Sequence, residues 1–267
     1  MSTELTICIV LFKPDLVELF RTFDALLVAI KALEASVGTR LLIVDNSPDA
    51  SLDLSAHPLF SVVETEIASG QGNVGFGRAN NIALKKGVGT YHLVLNPDVE
   101  MAPDALIKAL HFMDANPQCG LLSPAATAPD GRTQYLCKRY PSLFDLFLRG
   151  FMPASVRQLF RKRLDRYEMK EETGDDVFWD PPIVSGCFML FRGDVFRTLG
   201  GFDPRYMLYF EDFDISLRAG RQARIAYVPD VKIVHGGGNA AQKGWWHIAQ
   251  FLKSAAIFFP SHGIKLF

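Results

Sequence analysis

The chain has no apolar run approaching the roughly 20 residues that span a bilayer, so no transmembrane helix is expected anywhere in its 267 residues. Nor does it have a surplus of either charge. With 28 Lys plus Arg against 29 Asp plus Glu, the formal net charge is −1. Phosphate attraction scales with the cations a surface presents, so bulk nucleic acid is excluded as a partner. Cysteine is scarce. Cys8, Cys119, Cys137 and Cys187 form no CxxC pair, which argues against structural zinc and for a reduced, cytoplasmic protein. The first apolar stretch, residues 5–12, is too short for a signal-peptide core and is preceded by Glu4 rather than a basic region. Internal repeats and low-complexity tracts are absent as well.

What is present is a 49% hydrophobic chain, enough for one sizeable core with a small appendage. Short β-branched runs alternate with helical periods: TICIVLF, a helix over 15–35, LLIVDNS, a strand over 61–66, a Gly-rich turn over 70–77, a helix over 78–86, YHLVLN, and a helix over 103–115. After a change of composition at 138–170, IVSGCFMLF, a short helix, ARIAYVP and VKIVH restore sheet character. Such alternation implies an α/β fold with a mostly parallel central sheet flanked by helices, whose ligands sit beyond the carboxyl ends of the strands.

Polar residues at those ends carry the chemistry. Asp98 follows the strand YHLVLN behind Pro97. It is either an Asx turn or a ligand for a hard divalent cation completed by diphosphate oxygens. GNVGFGRANN, residues 72–81, is either a flexible turn or a loop whose N–H groups and Arg78 approach a nucleotide diphosphate. Glu211, Asp212 and Asp214 crowd four residues beside Tyr209, Phe210 and Phe213. On a helix starting there, 211 and 214 share a face while 212 points elsewhere. Like charges this close raise at least one pKa, as a general base requires, although acidic residues also suit a helix start. His235 ends a strand before three glycines and is either structural or a metal or phosphate contact.

Six motifs in order, VDNS (44–47), GNVGFGRANN, LNPD (95–98), SGCFMLFR (185–192), GGFDPRYMLYFEDFD (200–214) and VPDVKIVHGGG (228–238), resemble those of family 2 inverting glycosyltransferases of the bacterial rhamnosyltransferase-like group. The resemblance implies a GT-A fold over residues 1–238 and a divalent metal, Mn²⁺ or Mg²⁺, while residues 239–267 read as a C-terminal aromatic amphipathic tail. It implies a nucleotide-sugar donor, dTDP-rhamnose or a UDP-sugar, bound by Asp45, Asn46, Asn73, Gly75, Arg78, Asn96 and Asp98. Asp98 and His235 would hold the metal. Asp212 would be the base, with Glu211 beside it, and Gly186, Tyr209 and Asp214 would lie on the acceptor side. Two departures stand out. The family's DxD is here Asn96-Pro97-Asp98, and the QxxRW signature of processive synthases is missing, which argues for one sugar per encounter.

The stretch 138–170, with nine Lys or Arg against three acidic residues, and the aromatic tail suggest contact with the inner face of a membrane and a glycan or lipid-linked glycan acceptor. A helical cover over the sheet is the plainer reading of the same residues. Transfer of a different hexose remains an alternative. So does a sugar-1-phosphate nucleotidyltransferase, although that class wants a Gly-rich basic loop where this chain has FKPDLVE. A non-catalytic nucleotide-sugar-binding protein would tolerate loss of the acidic cluster that this chain keeps.

Overall fold

The computed structural model describes residues 3–48, 53–237 and 244–267. Gly238 and residues 239–243, the start of the expected tail, lie outside them. Strand β1 (Thr3–Leu11) is buried on both faces from residue 5 onward, as an apolar run without alternation requires in a sheet covered on both sides. Asp15 caps α1 (Leu16–Lys31) by accepting from the N–H groups of Val17 and Glu18. Leu19, Phe23, Leu26 and Ile30, at helical spacing, then bury one face of α1 in the core, each contributing about 1.5–3 kcal/mol of transfer free energy.

The chain continues through β2 (Val37–Asp45), α2 (Leu59–Val62), β3 (Glu64–Ala68), α3 (Phe76–Asn80), α4 (Ile82–Lys86), β4 (Tyr91–Leu95), β5 (Val99–Met101), α5 (Ala105–Ala115) and β6 (Cys119–Thr127). Next come β7 (Thr133–Gln134), β8 (Cys137–Lys138), α6 (Leu143–Phe151), α7 (Ala154–Leu159) and α8 (Arg161–Tyr167). The last elements are β9 (Phe178–Trp179), β10 (Ile183–Val184), β11 (Phe188–Arg192), α9 (Gly193–Leu199), α10 (Glu211–Ala219), β12 (Arg224–His235) and α11 (Trp245–His262).

The main sheet has the order β3-β2-β1-β4-β11-β6-β12-β5. Its first four strands are parallel throughout. β11 enters antiparallel to both β4 and β6, β12 runs parallel to β6, and β5 runs antiparallel to β12. The second half is therefore mixed. Residues 61–66 are not one strand, since α2 runs to Val62 and β3 starts only at Glu64. The expected helix over 78–86 is two short helices meeting at Asn81, whose side chain is bonded to the backbone of Phe202 in both directions. The two expected strands over 223–235 are one, with a register shift between Val228 and Lys232.

The basic stretch folds into α6, α7 and α8, and each of its three acidic residues pairs with cations of the stretch. Arg149 pairs with Glu168, Arg161 with Asp165, and Arg163 with Asp145, while Lys170 reaches both Asp165 and Glu168. Helix α11 lays Phe251, Phe258 and Phe259 on Tyr206, Phe210 and Phe213, so the tail packs on the aromatic wall of α10. No described helix is long and apolar enough to cross a membrane.

Candidate active site

Leu11 of β1 pairs with Asp45 at the end of β2, and Ile9 pairs with Leu95 at the end of β4. The polar triplets 45–47 and 96–98 therefore leave the sheet at one edge, where open α/β sheets bind ligands.

At the first corner Asp45 and Asn46 are buried. Asp45 Oδ1 accepts from the Ser47 N–H at 2.8 Å, and the Asn46 N–H donates to the Leu11 carbonyl at 2.8 Å. Gln71, which lies just outside the Gly-rich motif, donates from Nε2 to the Asp45 carbonyl at 2.9 Å and to Asn46 Oδ1 at 3.2 Å. Asn46 Nδ2 in turn reaches the carbonyl of Gly75. Gly75 has φ +90°, and a Cβ there would stand 2.4 Å from the Met207 carbonyl oxygen, so only glycine fits.

Three N–H groups of the loop 72–77 are bonded within the protein. The N–H groups of Val74, Gly75 and Phe76 are taken by the Gly72 carbonyl, Asn73 Oδ1 and the Met207 carbonyl. The Nε of exposed Arg78 donates to the Pro204 carbonyl at 2.5 Å. Gly75 and Arg78 thus join the first corner to the segment leading into α10, while Asn73 closes the loop on itself.

The second corner forms where β4 ends beside β12. Thr22 of α1 donates to the Pro97 carbonyl at 2.8 Å, and the Gly236 N–H donates to the Asp98 carbonyl at 2.9 Å. His235 pairs with Val99 in the β12–β5 ladder. Together these bonds hold Asp98 Oδ2 3.5 Å from His235 Nε2. On its far side, the His235 ring is hydrogen-bonded through Nδ1 to Gln134 Oε1 at 2.8 Å. A carboxylate beside an imidazole nitrogen is a donor set that hard and borderline divalent cations accept. It supplies two protein ligands, and among the described residues no group of three or more His, Cys, Asp or Glu gathers for a metal. A cation there would draw its remaining oxygens from substrate and water, as Mg²⁺ commonly does.

The third corner is the start of α10. Tyr209 and Phe210 both have positive φ, 70° and 66°, a turn that sets Glu211 as the first helical residue. Glu211 and Asp214 are buried while Asp212 is partly exposed. Asp212 Oδ2 accepts from the Gly186 N–H at 3.2 Å and Oδ1 from the Phe213 N–H at 2.9 Å. A Cβ on Gly186 would sit 3.3 Å from that of Asp212, tighter than an ordinary contact, so Gly186 seats this carboxylate. Burial raises the pKa of both Glu211 and Asp212, and the Asp212 charge raises Glu211 further. Glu211 Oε2 is buried with no partner among the described residues, whereas Asp212 has two N–H donors that favour its ionised form. Of the pair, Asp212 therefore gives up its proton first.

Asp214 is bonded within the fold. Its side chain is 3% exposed, with Oδ2 bonded to Arg218 Nε at 2.8 Å and Oδ1 to His262 Nε2 at 2.8 Å. Both oxygens anchor α10, one to its own last turn and one to α11. The Tyr209 hydroxyl is likewise engaged with His247 Nδ1 of α11 at 2.9 Å.

Adjacent residues connect the second and third corners. Asn96 N–H donates to the Cys187 carbonyl at 2.9 Å, and the preceding residue, Gly186, donates to Asp212. The segment after β10 is thus bonded on one side to the Asn96-Pro97-Asp98 turn and on the other to the Asp212 carboxylate.

This fold and site define an α/β transferase of the GT-A type. Residues 24–200 match the model of glycosyl transferase family 2, two thirds of the chain, and the chain belongs to that family. The matched span holds Asp45 and Asp98 but ends before Asp212 and His235. A curated relative is the N-acetylglucosaminyl-diphospho-decaprenol L-rhamnosyltransferase of Mycobacterium tuberculosis. It is 29% identical over 203 residues, which cover 70% of this chain and 64% of that one. The rhamnosyltransferase WbbL of Escherichia coli K12 is 29% identical over 177 residues, 61% of each chain. The chain thus spans a little under two thirds of the length of these relatives. Among solved structures, GalNAc-T7 with UDP, GalNAc and Mn²⁺ superimposes with a TM-score of 0.67 at 15% identity, covering 97% of this chain and 50% of that one.

Proposed function

We propose that the chain transfers one sugar, rhamnose, from a nucleotide-diphosphate donor to a hydroxyl of a glycan or lipid-linked glycan, with inversion at the anomeric carbon. The observation that carries this reading is the direct linkage of the Asp98–His235 corner to the Asp212 carboxylate through Asn96, Cys187 and Gly186. Sugar transfer builds positive charge on the ring and negative charge on the departing diphosphate. Asp45, Asn46 and Asn96 border the nucleotide side. Asp98 and His235 would hold a divalent cation, Mn²⁺ or Mg²⁺, which neutralises charge on the leaving diphosphate when bound. Asp212, ionised and seated by two N–H donors, takes the proton from the attacking hydroxyl. One displacement on the face opposite the leaving group inverts the centre.

Rhamnose is favoured by the two rhamnosyltransferase relatives, and dTDP-rhamnose is the donor the motif pattern suggests, ahead of a UDP-sugar. The test is a thermal-shift panel of dTDP-, UDP- and GDP-sugars with Mn²⁺ or Mg²⁺, since a ligand that binds only the folded state raises its melting temperature. A rise with dTDP-rhamnose that needs the metal is expected. No rise with any nucleotide sugar contradicts the reading.

A lipid-linked acceptor places the site near a membrane surface. The outward face of α11 presents Trp245, Ala249, Leu252, Ala256 and Pro260, all exposed, with Lys253 beside them, and no Asp or Glu occurs after Asp230. This face suits weak interfacial binding to anionic lipid. The apolar stripe of α11 supplies the inserted surface, and the cations that the three acidic residues of 138–170 leave unmatched add attraction to anionic head groups. Co-sedimentation with anionic vesicles is expected to drop several-fold for Trp245→Ala combined with Leu252→Ala. Equal binding by the wild type and the double variant contradicts this placement.

A further inference from the structure

Gln134 lies on β7, a two-residue strand attached to the end of β6, and no motif includes it. Its side-chain amide grips His235 twice. Nε2 donates to the His235 backbone carbonyl at 2.9 Å, and Oε1 lies 2.8 Å from His235 Nδ1.

These two contacts determine a proton position by chemistry alone. A backbone carbonyl is only an acceptor, so the amide group facing it must be the NH₂. Rotating the amide by half a turn would set two oxygens against each other. Oε1 must therefore face Nδ1, and Oε1 can only accept, so Nδ1 carries a hydrogen. In the neutral imidazole the other nitrogen, Nε2, then keeps its lone pair. That nitrogen stands 3.5 Å from Asp98 Oδ2.

We propose that Gln134 is a positioning residue, which locks His235 as the Nδ1–H tautomer and turns its Nε2 lone pair, beside the Asp98 carboxylate, toward a divalent cation. Metal-binding histidines need this arrangement, because the hydrogen bond at the second nitrogen sets both tautomer and ring orientation. Here an amide does what a carboxylate or backbone carbonyl does elsewhere, and it adds a second bond to the same residue's main chain. Gly237 lies against this clamp, where a Cβ would stand 3.5 Å from Gln134 Nε2. The inference rests on the metal reading of Asp98 and His235 for its purpose, but its central element, the tautomer, exists without metal.

The test has two readouts. The first uses metal-free protein labelled with ¹⁵N-histidine at pH ~9, well above the usual imidazole range. Long-range ¹H–¹⁵N spectra report the tautomer of each ring, and the His235 signals are assigned by their loss in His235→Gln. The wild type should show His235 as Nδ1–H. Gln134→Leu should show a mixture of tautomers, and Gln134→Glu, which keeps an acceptor for Nδ1–H although it sets an oxygen against the His235 carbonyl, should still show the Nδ1–H form. The second readout is Mn²⁺ affinity by electron paramagnetic resonance in the presence of a nucleoside diphosphate. Gln134→Leu is expected to weaken it by about 10–100-fold, the range for lost outer-shell partners of metal ligands, and Gln134→Glu, which loses only the bond to the main chain, to weaken it less. Gln134→Ala serves in place of Gln134→Leu if the larger apolar side chain disturbs the sheet edge. An unchanged His235 spectrum in Gln134→Leu, or a wild-type ring in the Nε2–H form, overturns the inference. Wild-type protein that binds no Mn²⁺ with nucleotide overturns the metal reading and the purpose assigned to Gln134, while leaving the tautomer result as measured.

Discussion

Replacing Asp212 by Asn is expected to leave donor affinity nearly intact and to cut turnover by at least about 10²-fold, the lower range for a lost general base. An amide preserves the shape and its single oxygen can still accept one of the Gly186 and Phe213 N–H groups, but it cannot take a proton. The neighbouring carboxylates supply the contrasts. Glu211→Gln should hurt less, because Glu211 is held protonated by burial and by the Asp212 charge and so offers no base at neutral pH. Asp214→Asn should mainly cost stability, since it disrupts a buried carboxylate shared by Arg218 and His262. The pH profile carries the sign. The base acts only when ionised and its pKa is raised, so kcat/KM should fall as pH drops through a value above the ordinary carboxylate range. Single-turnover rates with donor affinity measured in parallel rank the three variants. Near-normal turnover in Asp212→Asn with a dead Glu211→Gln would assign the base to the other carboxylate.

Asp98→Ala is expected to abolish metal-dependent donor binding while the fold survives. The Asp98 main chain is held independently, by Gly236 N–H on its carbonyl and by Thr22 on the Pro97 carbonyl. Removing the side chain therefore leaves the turn in place and takes away one of two protein donors to the cation. With only His235 left, affinity for the metal–donor pair should fall below detection in a calorimetric titration with nucleotide and Mn²⁺. Unchanged affinity would mean that the carboxylate only caps the strand.

The parts of this site that were legible in the sequence are those where chain direction and side-chain type agree. The buried strands ending in Asp45-Asn46-Ser47 and Asn96-Pro97-Asp98 were readable because uninterrupted apolar runs stop abruptly at polar residues. The division of the acidic cluster was readable too. Helical spacing sets Glu211 and Asp214 on one face and Asp212 on another, as the structure has it. β6 was hidden because CGLLSPAAT contains a proline, small residues and no β-branched core, so only its position between β11 and β12 makes it a strand. The Gly-rich loop misled for a related reason. Its spacing advertises free N–H groups, but two of them turn back on the loop's own Gly72 and Asn73 and a third meets Met207. Gln134 carried no local signal at all, because its partner lies 101 residues away, and Asp214 looked like chemistry until α11 brought His262 against it.

Stereochemistry tests the central claim most directly. In the absence of acceptor, water slowly takes the acceptor's place, so the donor that binds in the thermal-shift panel can be hydrolysed and its sugar followed by ¹H NMR before mutarotation. A single displacement assisted by Asp212 predicts that the freshly released sugar has the anomeric configuration opposite to that in the donor, and that Asp212→Asn releases none above background. Release with retained configuration, or equal release by the Asp212→Asn variant, would contradict the mechanism.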